Sequence, residues 1–135
     1  MGPDPFEGIT KQRALRRLWA RCSAALGADT AAQRVFVHAV SGRRSLARRD
    51  PWVNLLRLTA AGFAASVGGA DAVTTSGFDE PLGPTDAFGR RLAINTQLLL
   101  AEEAYLGKVI DPAGGSWYLE AVSYTHLTLP TICSV

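Results

Sequence analysis

The sequence predicts an α/β fold built on a parallel sheet, and three observations support this prediction. Segments with helical spacing of apolar residues alternate with short apolar runs along the chain. These runs are nearly continuous and rich in β-branched residues, which is typical of strands buried on both faces of a parallel sheet. Glycines follow the helical segments, where they commonly end helices. The 135 residues suffice for one domain with a hydrophobic core.

The composition argues against several classes of protein. The net charge of +2 is too small to indicate binding to nucleic acid or to an anionic membrane surface. No apolar run reaches the ~18 residues of a membrane span, and the N-terminus lacks the layout of a secretory signal. Cys22 and Cys133 lie far apart in sequence without metal-ligand spacing, so we expect reduced thiols, a cytoplasmic protein and no metal site.

The first predicted element is a helix from Lys11 to about Leu26, capped by Thr10 and stopped by Gly27. Residues 1–9 hold two prolines and two glycines and are expected to form a disordered lead-in. The apolar face predicted for this helix comprises Leu15, Leu18, Trp19, Cys22, Ala25 and Leu26. Its opposite face carries Arg13, Arg16, Arg17 and Arg21. We expect that face to be solvated, with a binding patch as the alternative.

Two strand–helix units follow. Residues 34–40 (RVFVHAV) and 70–75 (ADAVTT) are the predicted strands. Asp50 is expected to cap the helix between them, with Pro51 at its first position and a glycine pair, 68–69, at its end. The apolar stripe predicted for that helix comprises Trp52, Leu55, Leu56, Thr59, Phe63 and Val67.

A third helix is expected from a cap at Thr85 or Asp86 to about Leu106, and residues 108–110 are a possible third strand. About three β/α units with right-handed crossovers correspond to a third of a (β/α)8 TIM barrel, which takes ~250 residues. Three such units alone leave open sheet edges. A piece of a larger barrel is therefore favoured over a small open α/β domain.

The pattern stops after Glu120, which leaves residues 121–135 as a separate tail. The tail sequence SYTHLTLPTICSV resembles translated sequencing-adapter sequence, so we interpret it as artefactual. A genuine C-terminal strand is the alternative. On the first interpretation, His126 and Cys133 carry no chemistry.

Functional groups of parallel barrels lie at the carboxyl ends of strands, and two places here carry suitable side chains. His38 lies near the end of the first predicted strand, although a lone histidine in an apolar strand is usually a hydrogen-bonded core residue. Hydroxyls at residues 74–76 precede Asp79 and Glu80 and can bind a sugar or position a substrate hydroxyl. The alternative is that Asp79 fixes the loop and Glu80 is merely exposed. Neighbouring carboxylates diverge, so they make a poor acid–base pair.

Two loops are expected to be structural. Residues 111–118 (DPAGGSWY) are a third candidate place, where Gly114 and Gly115 permit close backbone approach to a ligand or a helix. A tight structural turn is the preferred interpretation, and the segment lacks the lysine of a phosphate-binding loop. Residues 41–49 contain four arginines that can meet a phosphate, but a solvated loop is the preferred interpretation. The sequence shows neither a Ser-His-Asp set nor paired metal ligands, so no catalytic residue and no metal site are predicted.

Six short segments resemble, in order and spacing, the final barrel units of the methylmalonyl-CoA mutase family: LWA (18–20), DPWVN (50–54), GGA (68–70), FDE (78–80), NTQ (95–97) and DPAGGSWY (111–118). The resemblance covers roughly Leu15 to Glu120. It implies that residues 10–120 are the C-terminal portion of a TIM barrel and that residues 121–135 are not part of the family domain. The variants PAGGSW and RRDPWVN resemble the small (β) chain of two-chain bacterial mutases.

The resemblance implies adenosylcobalamin-dependent radical isomerisation of methylmalonyl-CoA and succinyl-CoA, in which the cofactor supplies the radical. His38, Ser76 and Glu80 fall in loops that face the adenosyl group and substrate in catalytic chains, and they are the candidate cofactor-binding residues. His38 and Glu80 match the catalytic pattern. Val40, Arg44 and Ser76 replace a glutamine, a tryptophan and an asparagine, and the loss of the amide at Val40 removes both a donor and an acceptor.

These departures indicate a supporting small chain, inactive alone, that forms a heterodimer with a large catalytic chain. The acyl-CoA substrate and adenosylcobalamin then belong to the complex, and direct cofactor binding by this chain is in doubt. The earlier strands of the family barrel and its Asp-x-His-x-x-Gly cobalamin motif are not found in this sequence. Two alternatives stay open: a fragment of a catalytic acyl-CoA mutase chain, and a non-enzymatic α/β interaction module.

Overall fold

The computed structural model describes residues 2, 4–122 and 124, and its main elements are three helices and two strands. In chain order these elements are α1 (Pro5–Ala25), β1 (His38–Val40), α2 (Val53–Val67), β2 (Ala72–Thr74) and α3 (Ala87–Leu98). Short 3-10 turns follow the strands at Arg43–Ser45 and Glu80–Leu82, and a π-helical turn, Leu99–Glu103, extends α3. Residues 117–122 are also helical. No helix in the described residues is both long and apolar enough to cross a membrane.

The two strands pair in parallel, with His38 opposite Ala72 and Val40 opposite Thr74. This pairing confirms the predicted α/β class and the parallel sheet. The possible third strand at 108–110 is wrong: within the described residues the sheet has two strands, and the side chain of Ile110 is 99% exposed. A segment of three residues becomes a strand only where a neighbouring strand pairs with it.

Helix α1 begins earlier than the sequence analysis placed it. The carboxylate of Asp4 accepts hydrogen bonds from the backbone N–H groups of Phe6 (2.8 Å) and Glu7 (3.3 Å). Pro5 occupies the first helical position, where its missing N–H is of no consequence. The predicted disordered lead-in is therefore wrong from Asp4 onward, because an Asp-Pro cap starts the helix there. The end is as predicted, with Gly27 at φ 79° just after it.

The faces of α1 differ from those predicted. Leu15, Leu18 and Trp19 are 39–47% exposed. Two arginines of the opposite face pack instead: Arg13 pairs with Asp111 and Glu120, and Arg16 pairs with Asp71 at 2.6 Å. The expectation that this face is solvated is wrong for Arg13, whose side chain is 13% exposed. The surface beside α1 offers three carboxylates, so it selects the basic face of the helix.

Helix α2 differs from its prediction in the same way. Asp50 does not cap it: its φ is 54°, and it lies in a turn in which Val53 N–H donates to the carbonyl of Asp50 at 3.2 Å. Of the predicted stripe Val67 is buried, whereas Leu56 is 72% and Phe63 is 40% exposed. The buried face consists mainly of small residues, namely Asn54, Leu58, Ala61, Gly62, Ala64, Ala65 and Val67. Small side chains let α2 approach its neighbours closely.

Helix α3 begins at the second of its two predicted caps, because the carboxylate of Asp86 accepts a hydrogen bond from Gly89 N–H at 2.6 Å. A hydrophobic core cluster lies where α1, α2 and the C-terminal segment meet, and it comprises Ile9, Ala64, Val67, Ala113 and Leu119, with Leu106 packed against them. Within the predicted tail, residues 121, 122 and 124 are helical. His126 and Cys133 lie outside the described residues.

Candidate functional site

The carboxyl ends of β1 and β2 open side by side into a cleft of about 850 Å³. Parallel pairing brings these two ends to one edge of the sheet, where α/β proteins place their ligand sites. The side chains that supply polar or charged groups to the cleft include Arg43, Thr74, Ser76, Glu80, Arg90 and Gln97. This cleft is the candidate site in the described residues.

Three cross-strand pairs connect the β1 side of the sheet to the β2 side, and we call them the strand-end ladder. They are His38 Nε2 with Thr74 Oγ1 at 2.8 Å, Ser41 Oγ with Ser76 Oγ at 2.9 Å, and Arg43 Nε with Glu80 Oε1 at 2.9 Å. Each predicted cofactor-binding residue is one half of a pair. Their partners were not identified from the sequence, because cross-strand register is set only when the strands pair.

His38 is the first residue of β1, and its side chain is exposed. It shares a face of the sheet with Val40 and Thr74, because side chains alternate along a strand. Ala39, which points to the other face, is buried. The interpretation of His38 as a core residue is therefore wrong. It is a hydrogen-bonded residue on the face of the sheet that the helices leave open.

Ser76 is fixed by Ser41. The Ser41 hydroxyl donates to Ser76 Oγ and accepts a hydrogen bond from Ser76 N–H at 2.8 Å, and Ser41 is 6% exposed. The carbonyl of Thr74 also accepts a hydrogen bond from Ser41 N–H at 3.0 Å. Ser41 therefore extends the pairing of the two strands by one residue into the loops. The sequence offered one indication of this role, because Ser41 comes directly after the predicted first strand.

Glu80 is held by Arg43 across the mouth of the cleft. The side chain of Glu80 is 24% exposed and that of Arg43 is 78% exposed. Glu80 Oε2 is buried and has no hydrogen-bond partner within the described structure. The alternative interpretation of Glu80 as merely exposed is therefore wrong. The interpretation that Asp79 fixes the loop is confirmed. Its Oδ2 accepts a hydrogen bond from Asp86 N–H at 2.9 Å, which ties the loop to the start of α3.

The loops behind the ladder are joined by Asn54, a residue that the sequence analysis missed as a functional position. Its side chain is fully buried. Its Nδ2 donates to the carbonyls of Ala47 and Phe78, each at 2.9 Å, and its Oδ1 accepts from Ala47 N–H at 3.0 Å. The sequence could have indicated this role, because Asn54 is an amide in the first turn of a mainly apolar helix. Asn54 positions both strand-end loops against α2.

An aromatic cluster covers the same loops from outside. The rings of Trp52 and Phe78 stack at 4.8 Å between centroids, and the ring of Phe88 meets both edge-on at 6.3–6.4 Å. Phe78 is buried, whereas Trp52 is 58% exposed. Such pairs add to the stability that burial provides. The cluster fixes the loop after β2 between the first turns of α2 and α3.

The turn at residues 111–116 belongs to a second region, centred on α1. The predicted tight turn is confirmed: Gly114 N–H donates to the carbonyl of Asp111 at 2.9 Å, and Gly115 has φ 79°. Hydrogen bonds from Arg13 and then Arg17 lower the pKa of Glu120. The pKa of Asp71 is lowered first by the backbone N–H of Val37 and then by Arg16. These contacts tie α1 to the turn and to the start of β2.

The described residues contain no group of three histidine, cysteine, aspartate or glutamate side chains placed to hold a metal ion. The strand-end cleft offers hydrogen-bonding groups, and it offers charges from Arg43, Glu80 and Arg90. Such a set can bind and orient a polar ligand.

Comparison with known proteins gives a consistent result. The family model described as "Methylmalonyl-CoA mutase" matches residues 1–127. A methylmalonyl-CoA mutase small subunit of Streptomyces virginiae is 55% identical over 121 residues, which are 89% of this chain and 19% of that protein. The small subunit of Propionibacterium freudenreichii subsp. shermanii is 46% identical over the same shares of both proteins. A methylmalonyl-CoA mutase of Escherichia coli K12 is 38% identical over 91% of this chain and 17% of that protein. The chain spans about a fifth of the length of these curated relatives.

Proposed function

We propose that this chain, which belongs to the methylmalonyl-CoA mutase family, forms part of the small, supporting subunit of such a mutase. The observation that carries the proposal is its similarity to proteins named as small subunits, which are 46–55% identical over 89% of the chain. The segments PAGGSW and RRDPWVN support the same assignment. The proposed complex is an isomerase that interconverts methylmalonyl-CoA and succinyl-CoA in the cytoplasm.

In this proposal the chain contributes structure, and a large catalytic chain contributes the chemistry. The polar groups of His38, Ser76 and Glu80 are each engaged by a neighbour in the strand-end ladder. Val40 presents an apolar side chain on the same face as His38. These features support a role in positioning the loops over a role in handling substrate. The acyl-CoA substrate is then bound by the complex.

Adenosylcobalamin is the cofactor implied by the family, and the residues of this chain do not fit it. A ligand would need free donors and acceptors at the strand ends. Glu80 Oε1 is already paired with Arg43, and Ser76 Oγ is already bonded to Ser41. Glu80 Oε2 has no partner among the described residues, but it is buried and so is not open to a ligand. We therefore assign the cofactor to the complex and propose that this chain does not bind it directly.

We further propose that residues 10–120 form the C-terminal part of a (β/α)8 barrel. The face of the sheet that carries His38, Val40 and Thr74 is open, as the lumen side of a barrel strand is before the remaining strands are in place. Several large apolar side chains of α1 and α2 are also exposed, namely Leu15, Leu18, Leu56 and Phe63. Further barrel units would cover these surfaces.

Co-purification tests the proposed partnership. The tagged chain would be co-expressed with a large catalytic mutase chain and recovered by its tag. We expect the large chain to be retained in stoichiometric amount, and a variant with Leu18→Glu and Phe63→Glu serves to locate the contact. If the large chain flows through unretained at micromolar concentrations, the supporting role as stated is wrong.

A second candidate function is a piece of a catalytic chain. Glu80 favours it, because a three-quarters buried carboxylate at a strand end is the kind of group that binds a ligand hydroxyl. Binding of adenosylcobalamin to the chain, followed by absorbance, separates the two candidates. Saturable binding would favour the catalytic chain.

A further inference from the structure

We propose that the outward face of α3 is a contact surface for a second copy of this chain, packed antiparallel to the first. Four residues form this face, and we call them the α3 stripe: Arg91, Asn95, Leu98 and Glu102. The stripe begins in α3 and ends in the π-helical turn that extends it. The inference goes beyond the proposed function, because it concerns two copies of this chain and not its contact with a large chain.

The α3 stripe lies opposite the side of α3 that packs on the rest of the molecule. Gly89 is buried on that inner side. Thr75 Oγ1 donates to the carbonyl of Ala93 at 3.1 Å and lies 2.9 Å from the amide of Gln97. With about 3.6 residues per turn, the stripe falls on the other side of the helix. All four of its side chains are exposed, Leu98 to 54%.

The stripe complements itself when a second copy runs in the opposite direction. Its spacing is the same from either end, namely four residues, then three, then four. A two-fold axis through its centre therefore places Arg91 of each copy opposite Glu102 of the other. The same axis brings the two Leu98 side chains together. Apolar residues between complementary charges, at alternating steps of three and four, are typical of helices that pair side by side.

The two charges of the stripe lack opposite charges within the chain. Glu102 lies in the last turn of the helix, where the helix dipole disfavours negative charge. Neither Glu102 nor Arg91 forms an ion pair with another described residue. The guanidinium of Arg91 lies over the ring of Phe88, 5.5 Å from its centroid, and its N–H donors stay available to a carboxylate. An antiparallel second copy supplies the opposite charge at both ends.

The contact is small, so the dimer is weak. The stripe is about 16 Å long at the usual rise of an α-helix, and one pair of helices over that length buries less surface than a standard stable interface. Its ion pairs are exposed to solvent, where each contributes little and is screened by salt. We therefore expect a dimer that is populated at high concentration and low ionic strength.

The test is sedimentation equilibrium at low salt on a chain that carries Leu18→Glu, which removes an exposed apolar side chain of α1 as a second source of association. We expect a monomer–dimer equilibrium with a Kd on the order of 100 μM. Adding either Arg91→Glu or Glu102→Arg should raise this Kd about tenfold, because two attractions become repulsions in each dimer. Arg21→Glu is the matched control, since Arg21 is exposed on α1 and away from the stripe.

Mixing the two charge-reversal variants gives the sharpest outcome. Arg91→Glu makes both ends of the stripe acidic, and Glu102→Arg makes both ends basic. An equimolar mixture should therefore dimerise at least as tightly as the chain without either reversal, although neither variant does so alone. Both reversals also place charge where the helix dipole favours it, so unfolding of α3 does not account for a loss of association.

Four results would each overturn the proposed α3 contact. They are a Leu18→Glu chain that stays monomeric at about ten times the expected Kd, a reversal variant that dimerises as before, an equimolar mixture that stays monomeric, and an equal loss in Arg21→Glu. Recovery in the mixture supports the contact and shows that both variants are folded. The experiment contains no large chain, so its failure is distinguishable from failure of the proposed supporting role.

Discussion

Asn54 donates a hydrogen bond from its fully buried Nδ2 to the carbonyl of Phe78 at 2.9 Å. This bond runs from the first turn of α2 to the loop that follows β2. The same side chain binds both backbone groups of Ala47 in the loop that follows β1. The two loops that frame the strand-end cleft are therefore positioned by one amide, and the geometry of the strand-end ladder depends on it.

Replacing Asn54 by alanine should destabilise the chain by about 2–3 kcal/mol, because it leaves buried backbone groups of Ala47 and Phe78 without partners. Urea unfolding followed by circular dichroism measures the change. Asn95→Ala is the control, since Asn95 is exposed on α3 and its loss should cost under about 0.5 kcal/mol. Equal effects of the two substitutions would contradict the role given to Asn54.

The stability of the chain should fall in acid. Contacts with arginines and a backbone N–H lower the pKa values of Glu120 and Asp71, so the unfolded state binds protons more readily than the folded state. The stabilisation is complete above the unfolded pKa values, near about 4, and is lost as the pH falls through the lower folded values. Urea unfolding at a series of pH values between neutrality and strong acid follows this loss.

Arg13→Gln should flatten that dependence, because Arg13 is the first cause of the lowered pKa of Glu120. Arg21→Gln is the control, since Arg21 is exposed and forms no ion pair with the described residues. An Arg13→Gln profile that parallels the unchanged chain at every pH would show that the α1 ion pairs do not set the acid response.

Gly77→Ala should destabilise the loop after β2. A Cβ at residue 77 would lie 2.2 Å from Thr85 Cγ2, so the Thr85 side chain or the loop must shift. We expect a loss of about 1–3 kcal/mol, which is typical of overpacking. Gly107→Ala offers the comparison, because a Cβ there meets nothing within 4 Å. Thermal unfolding of both variants measures the difference, and equal melting temperatures would refute the close approach.

The uncovered face of α1 should make the chain associate. Leu15 and Leu18, with Tyr118 and Val122, line an apolar groove of about 490 Å³. Exposed apolar surface of this kind favours association in water. Sedimentation velocity over a range of concentrations should show a larger species that Leu18→Glu suppresses. Ile110→Glu, which removes an exposed apolar side chain outside this groove, should not suppress it. A chain that stays monomeric at all concentrations would contradict this expectation.

The sequence was informative about the order of the helices and about some of their ends, because those depend on local chemistry. The starts of α1 and α2 were predicted wrongly. Gly27 and the glycine pair after α2 end their helices, and Asp86 caps α3. The buried faces of α1 and α2 were predicted wrongly, since each helix has two faces that can pack and the choice depends on the neighbouring surface. Asp71 and Asp111 pair with Arg16 and Arg13 of α1. These aspartates lie 55 and 98 residues from their partners in the sequence, so no local pattern predicts the pairs.

The candidate site was predicted in part for a similar reason. Ser76 and Glu80 do lie beyond the carboxyl end of β2, because alternating helices and strands place them there, whereas His38 is the first residue of β1 and contacts Thr74 at that end. Their partners, Thr74, Ser41 and Arg43, follow from the register of β1 against β2, which no local pattern specifies. Lengths also depend on pairing: both strands are three residues long, shorter than the predicted apolar runs.

The central claim, that this chain supports a mutase without holding its cofactor, is tested most directly by titrating the chain with adenosylcobalamin. Absorbance and calorimetry are recorded together, with a large catalytic mutase chain as the positive control. We expect no saturable binding and no heat of binding for this chain, and saturation for the control. Saturable binding at micromolar concentrations by this chain would contradict the claim and would assign it to the catalytic type.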